Sequence, residues 1–250
     1  MENIIDDLKQ HYGIKTIENI TPITGGLMNL KWKVSTEIGD LLIKQYSMER
    51  FRRDQLDRIE SALHRQIIVH GYGVKCPKLY TVNNQVIRWV DDVTAYMVMD
   101  FCEGKTENYE TVTLPQMYSL GKECAVMHSK GLAHEDMQAP NILFHADCLS
   151  AIVDFDRNFW GEPYHDIGRI LLSFTLNNGV MDMEKVKAFA DGYSLKLRDI
   201  SEILRITYRI EEPWWMRPEF EGECSEVPKR FRYEIMWVRK HWNELESFFV

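Results

Sequence analysis

The residues best suited to chemistry are concentrated in two short stretches. The first is His134-Glu135-Asp136-Met137-Gln138-Ala139-Pro140-Asn141, an H-x-D-x-x-x-x-N spacing. The second is Ile152-Val153-Asp154-Phe155-Asp156, which puts a carboxylate at the end of a short apolar run. Phosphoryl transfer from a nucleotide needs few parts: a carboxylate to take or orient the acceptor hydroxyl's proton, oxygen ligands for Mg²⁺, and a cation for the donor phosphates. Asp136 suits the first role, and Asn141 and Asp154 the second. The loop from Asp136 to Asn141, stiffened by Pro140, lets both side chains point to one site. The turn His145-Ala146-Asp147-Cys148 then brings Asp154 back beside Asn141. The plain alternative is a solvated turn carboxylate at Asp136 and turn capping by Asn141 and Asp154 at strand ends.

Elements that would position these residues are legible on both sides. Leu30 to Thr36 and Leu41 to Tyr46 alternate as two strands of a hairpin around Glu37-Ile38-Gly39-Asp40. A helix follows over about residues 50–70, with Leu56, Ile59, Leu63 and Ile67 at helical spacing and Gly71 and Gly73 ending it. Val86 to Val90 and Thr94 to Phe101 read as two more strands. Thr113-Leu114-Pro115-Gln116 is a capped helix start, and Met117, Leu120, Cys124 and Met127 give that helix a buried stripe. Asn141 to Phe144 and Ala151 to Phe155 are short strands. Beyond Asp166 the pattern is helical, with one stripe at Ile203, Ile206 and Ile210 and another at Phe231, Ile235, Val238, Trp242 and Leu245. Strands followed by helices predict an α+β chain with two lobes, residues 1–102 and 103–250.

The whole sequence bounds the function further. With 250 residues, 45% hydrophobic and 27% charged, the chain has enough apolar content to bury a core, which excludes global disorder. Thirty Lys and Arg against 38 Asp and Glu give a net charge of −8, which argues against nucleic-acid backbone binding. No stretch approaches the roughly 18 apolar residues of a membrane span, and the start lacks the pattern of a secretory signal. Five widely spaced cysteines without C-x-x-C predict reduced thiols in the cytoplasm, with neither a disulfide framework nor a Cys-based zinc site. The histidines include no H-E-x-x-H.

Taken with Gly161-Glu162-Pro163-Tyr164-His165-Asp166-Ile167, the two chemical stretches resemble the catalytic loop and metal segment of the aminoglycoside phosphotransferase and choline kinase superfamily. These are small-molecule relatives of the protein kinases. The resemblance extends upstream, in the same order, over about residues 20–175. Thr24-Gly25-Gly26-Leu27-Met28-Asn29 resembles the nucleotide loop, Lys44 the third-strand lysine, and Glu60 its ion-pair partner on the next helix. Tyr96-Met97-Val98-Met99-Asp100-Phe101-Cys102-Glu103-Gly104 resembles the strand and hinge that hold adenine. The resemblance thus implies a two-lobed protein-kinase-like fold with a β-rich N-terminal lobe and a mainly helical C-terminal lobe. It implies Mg²⁺ and ATP as cofactors, with Asp136 as base and Asn141 and Asp154 on the metal. Gly25, Gly26, Asn29, Lys44, Glu60, Asp100 and Cys102 would serve the nucleotide. Glycines let backbone N–H groups approach phosphate oxygens, and a lysine supplies a compact cation.

Several positions keep second readings. The glycine pair also reads as a hairpin turn, Lys44 as a surface strand lysine, and Asp57 or Gln66 compete with Glu60. Asp156 reads as a second metal contact or a turn cap. Asp166 reads as a residue ordering the catalytic loop or capping the following helix. Departures from protein kinases point to a small acceptor: Glu135 stands where they carry Arg, Asp156 where they carry Gly, and six residues between Asp156 and Pro163 leave no long activation loop. The predicted reaction is transfer of the γ-phosphoryl group of Mg-ATP to a hydroxyl of a small molecule. Amine-bearing acceptors of the aminoglycoside, choline or homoserine type are among the candidates, with no nucleic-acid or membrane partner. The alternative is a nucleotide-binding pseudokinase or regulatory module. Glu211 to Glu221, with Trp214 and Trp215, reads either as a cation-binding wall or as a helix connection with tryptophans in the core.

Overall fold

The computed structural model describes residues 1–23, 29–220 and 226–249. The chain divides into two compact units. One comprises Met1–Glu103 with Phe155–Arg157, and the other Gly104–Asp154 with Asn158–Val250.

The first unit opens with α1 (Glu2–His11), a helix that the strand-rich reading of this region does not anticipate. Only Ile4 and Leu8 supply its buried apolar face, too little periodicity to stand out in the sequence. Then come β1 (Ile17–Pro22), β2 (Asn29–Thr36), β3 (Gly39–Tyr46), α2 (Arg53–Gly71), β4 (Leu79–Tyr80), β5 (Arg88–Trp89) and β6 (Ala95–Asp100). The strands form an antiparallel sheet in the order β1-β2-β3-β6-β4, with β5 also pairing with β6. Side chains alternate between the faces of a strand, and both faces are covered here. Leu41, Ile43, Tyr96 and Val98 pack with Ile4 and Leu8. Tyr46, Ala95, Met97 and Met99 pack with Leu56, Ile59 and Leu63. Burial on both sides explains why Ala95–Met99 is a continuous apolar run rather than an alternating one.

The second unit contains β7 (Lys105–Thr106), α3 (Leu114–Ser129), β8 (Leu132–Ala133), β9 (Ile142–His145), β10 (Cys148–Ile152), β11 (Phe159–Trp160) and α4 (Tyr164–Thr175). The hairpin β12 (Leu176–Asn177) and β13 (Val180–Met181) interrupts the helices. It is followed by α5 (Met183–Tyr193), α6 (Ile200–Trp215), α7 (Glu226–Lys240) and α8 (Leu245–Phe248). The α3 capping box is formed as expected: Thr113 Oγ1 accepts from the Gln116 main chain, and Gln116 Oε1 accepts from Thr113. Met117, Leu120, Cys124 and Met127 are all buried. The Ile203, Ile206, Ile210 stripe is only partly realised. α6 instead buries Ile200, Ile203, Leu204, Thr207 and Tyr208, and Ile210 is exposed. Helices α3 and α5 pack backbone to backbone. A Cβ on Gly192 would lie 2.0 Å from the Tyr118 carbonyl oxygen, and one on Gly121 would lie 2.2 Å from that of Phe189. Cys76, Cys102, Cys124 and Cys148 are free thiols. Among the described residues no helix is long and apolar enough to cross a membrane.

Candidate active site

The H-x-D-x-x-x-x-N stretch lies between β8 and β9 and is held by its neighbours' hydrogen bonds. Asn141 is buried and donates Nδ2 to Asp136 twice, to the carboxylate Oδ2 at 2.8 Å and to the main-chain carbonyl at 2.9 Å. The other carboxylate oxygen of Asp136 accepts Nε2 of Gln138 at 2.7 Å. The Asp136 main-chain N–H donates to Nδ1 of His134 at 3.2 Å, which leaves Nε2 of that ring to donate to the Val153 carbonyl at 3.1 Å. The Val153 N–H in turn donates to the Asn141 carbonyl at 2.9 Å. Val153 therefore ties the loop to the segment carrying Asp154, the next residue.

Asp154 and Glu135 have φ of +67° and +66°, in the left-handed region that non-glycine side chains rarely adopt. Conformations of this cost persist where the surrounding structure over-determines them, commonly at functional sites. At Glu135 the over-determination is visible. Asp166, fully buried at the start of α4, accepts the main-chain N–H of His134 at 2.6 Å and of Glu135 at 2.8 Å. It also contacts Nε2 of His128 at 3.1 Å, and His128 is held by the Tyr193 hydroxyl at 2.9 Å. Burial would raise the Asp166 pKa, but the His128 hydrogen bond, the nearby imidazoles and the main-chain donor outweigh it and hold the carboxyl below its ordinary value. Of the two readings of Asp166, ordering the catalytic loop is the one its hydrogen bonds display.

The donor set fits a magnesium ion. Asn141 commits its Nδ2 to Asp136, so its amide oxygen and the Asp154 carboxylate would offer the hard oxygen donors that Mg²⁺ prefers.

In the first unit, Lys44 on β3 is 2% exposed and pairs with Asp156 at 2.7 Å. Tyr46 flanks the pair, its hydroxyl 3.4 Å from Asp156 and its ring 5.2 Å from the lysine Nζ. The Glu60 carboxylate is engaged away from the role the resemblance implies. It accepts the main-chain N–H groups of Val86 at 2.6 Å and Ile87 at 3.0 Å and lies 3.6 Å from His64. Two converging main-chain donors fix that carboxylate on the β5 side of α2. Asp156 was read only as a metal contact or turn cap; its short separation from Asp154 is the one sequence signal that places it near the site. Asp100 accepts the Tyr80 hydroxyl at 2.8 Å, while the Asp100 and Phe101 N–H groups donate to the carbonyls of Lys78 and Asp40. Cys102 follows with a partly buried thiol, pushed up to about 11 by burial and the Asp100 charge. Asn29 starts β2 opposite Tyr46, its Oδ1 buried and without a partner among the described residues. Gly25 and Gly26 lie outside the described residues.

In the carboxylate and tryptophan segment of α6, Glu211 and Trp215 pack against the chain and Trp214 does not. Glu211 is buried, pairs with Nε2 of His165 at 2.7 Å and accepts the Trp215 indole N–H. Trp215 stacks on Phe231 with centroids 4.5 Å apart. Trp214 is exposed and carries Arg217 over its ring at 4.8 Å. The helix-connection reading accounts for Glu211 and Trp215, because the chain's own cations already neutralise that carboxylate.

Residues 125–199, which span this loop and the metal segment, match the phosphotransferase enzyme family, APH. Among curated proteins, an EKC/KEOPS complex subunit of Schizosaccharomyces pombe is 29% identical over 105 residues, 39% of this chain and 42% of that protein. A probable bifunctional tRNA threonylcarbamoyladenosine biosynthesis protein of Methanosarcina mazei is 26% identical over 168 residues, 66% of this chain and 27% of that protein. The chain thus spans less than half the length of these two relatives. Among solved structures, a microcompartment-associated aminopropanol kinase superposes with a TM-score of 0.67 at 11% identity, covering 98% of this chain and 99% of that one. Spectinomycin phosphotransferase APH(9)-Ia, in complex with ADP and spectinomycin, gives 0.60 at 13% identity, covering 98% and 96%. The fold is that of small-molecule kinases, and residues 125–199 are similar to the phosphotransferase enzyme family, as the sequence resemblance implies.

Proposed function

We propose that this chain, which carries the catalytic segment of the phosphotransferase enzyme family in a kinase-like fold, transfers the γ-phosphoryl group of Mg-ATP to a hydroxyl of a small molecule. The observation that carries the reading is the Asp136–Asn141 contact at 2.8 Å, with Val153 linking both to Asp154. Asp136 accepts the acceptor's hydroxyl proton on its carboxylate. As that O–H bond breaks, the acceptor oxygen bonds to the γ-phosphorus, and the bond to the bridging oxygen breaks to release ADP. Asn141 and Asp154 would hold Mg²⁺, which would supply charge screening for the phosphates. Lys44, positioned by Asp156, serves the donor phosphates, and the segment around Asp100 and Cys102 serves the adenine.

A module acting inside a larger assembly is the second reading, favoured by the Schizosaccharomyces pombe relative, which is named as a subunit of the EKC/KEOPS complex. A Mg²⁺-dependent ATP-consumption assay with a panel of hydroxyl acceptors separates the two. Asp136→Asn is expected to lower turnover by about 10²–10⁴-fold, the range typical of general-base catalysis, with Mg-ATP binding retained. Undiminished turnover in that variant sinks the catalytic assignment. ATP binding without turnover of any acceptor favours the module.

A further inference from the structure

The second unit contains a cavity of about 310 Å³ whose walls include Glu107, Gln138, Pro140, Arg169, Arg230 and Phe231. Gln138 is the residue whose amide bonds Asp136, so the cavity adjoins the proposed base. Its volume is at the low end for ligand sites, which suits a short chain or a single ring.

The wall's charges are unequally committed. Glu234 is shared between Nη1 of Arg169 at 2.8 Å and Nε of Arg230 at 2.9 Å. Glu211, 3.6 Å from Nε of Arg169, is taken by His165 and Trp215. Glu107 pairs with Lys105 at 2.9 Å and is held below its ordinary pKa, first by Thr111 and then by that lysine. Arg169 is 3% exposed, with its guanidinium carbon over the Phe231 ring, 4.2 Å from the centroid. Its Nη2 is buried and has no hydrogen-bond partner among the described residues. A buried guanidinium edge without an acceptor is costly, and carboxylates and phosphates are the groups that match its geometry. Arg230, with 44% of its side chain exposed, adds a second cation to the same wall, with Nε on Glu234 and Nη2 on the Ser173 carbonyl.

We propose that this cavity binds the acceptor, and that the acceptor is a small hydroxyl compound bearing a carboxylate or a phosphate, received by Arg169 with Arg230. This inference rests on the kinase reading and reverses the expectation of an amine-bearing acceptor. The transfer step is the one written above; the anionic group only anchors the molecule.

The test is isothermal titration with a matched three-carbon series: glycerol 3-phosphate, glycerate, glycerol and 3-amino-1,2-propanediol. These carry a phosphate, a carboxylate, no charged group and an amine on similar frames. At least one anionic member is expected to bind ten-fold or more tightly than glycerol, with the amine weakest; the tighter of the two identifies the anion. Arg169→Gln is expected to erase that preference, and Arg230→Gln to reduce it about three-fold. The Arg230 side chain is half exposed, so its variant keeps the test open should Arg169→Gln fail to fold. Failure of both anions to bind, a preference for the amine, or a preference surviving in every folded variant overturns the proposal. ATP consumption with the same series separates the two claims. Turnover of glycerol or the amine without the anions leaves the kinase reading and removes this one. Arg169-dependent anion binding without any turnover does the reverse.

Discussion

The second unit holds two buried polar clusters built in different ways. Around Asp136 most bonds close within a few residues, linking Asp136 with His134, Gln138 and Asn141, and two main-chain N–H groups of the loop donate to Asp166 on α4. Around Arg169 they run between side chains far apart in the sequence, from α4 to Glu211 on α6 and Glu234 on α7. Main-chain donors fix a loop's conformation whatever its neighbouring side chains are. A side-chain network fixes nothing until its helices are packed, and every member depends on the others. The first design suits residues that must hold one geometry for chemistry. The second leaves room for a pocket whose charge varies.

The sharpest way to break the loop cluster is Asp166→Ala. It removes a buried carboxylate that accepts two main-chain donors and faces His128. Stripping one partner from a buried charged network costs about 3–5 kcal/mol, and the loop carrying Asp136 loses its anchor at Glu135. Urea unfolding and turnover are both expected to fall. A loss below about 1 kcal/mol would mean that the loop's order comes from elsewhere.

The side-chain cluster shows itself through pH. His165 is buried, with Nε2 on Glu211 at 2.7 Å and Nδ1 3.4 Å from Glu135. Burial pushes its pKa down, but hydrogen bonds and charge from Glu135 and Glu211 prevail, raising it from 6.5 to about 9. A histidine with a raised folded pKa stabilises fully below its unfolded value and loses that contribution as pH rises through the folded one. The stabilisation is therefore present below about pH 6.5 and fades by about pH 9. It amounts to about 3 kcal/mol by the conversion of pKa to free energy. Unfolding midpoints of the wild type are expected to drop across that window, and those of His165→Gln to drop less. Equal slopes would show that His165 is not protonated between its two carboxylates.

The contrast between the clusters also explains what was legible. H-x-D-x-x-x-x-N, the Thr113 to Gln116 cap and the β2–β3 hairpin are readable because each is closed within a few residues. α1 was not, since Asp7 on its buried face is paired by Arg88 and Tyr96 from distant strands. Ile210 was misassigned because helical period alone does not decide which face α4 covers. Arg169 was invisible as a site residue because nothing local shows that Glu211, Glu234 and Phe231 converge on it.

Lys44 offers the smallest and most discriminating comparison, between a partner implied by sequence order and one supplied by packing. Glu60 accepts two main-chain N–H groups, so Glu60→Gln keeps one acceptor and is expected to cost about 1 kcal/mol in stability. Mg-ATP affinity should stay unchanged, since the Glu60 carboxylate is held by the Val86 and Ile87 main chain. Asp156→Asn acts in the opposite sense. It removes the charge 2.7 Å from a lysine that is 2% exposed, leaving the ammonium without that counterion. Mis-positioning of Lys44 is then expected to weaken Mg-ATP about five-fold, equivalent to about 1 kcal/mol. Titration of both variants with Mg-ATP decides the matter. A five-fold loss in Glu60→Gln with none in Asp156→Asn would return Glu60 to the role that its place on α2 first implies. The expected pattern makes the carboxylate two residues after Asp154 the one that sets the lysine.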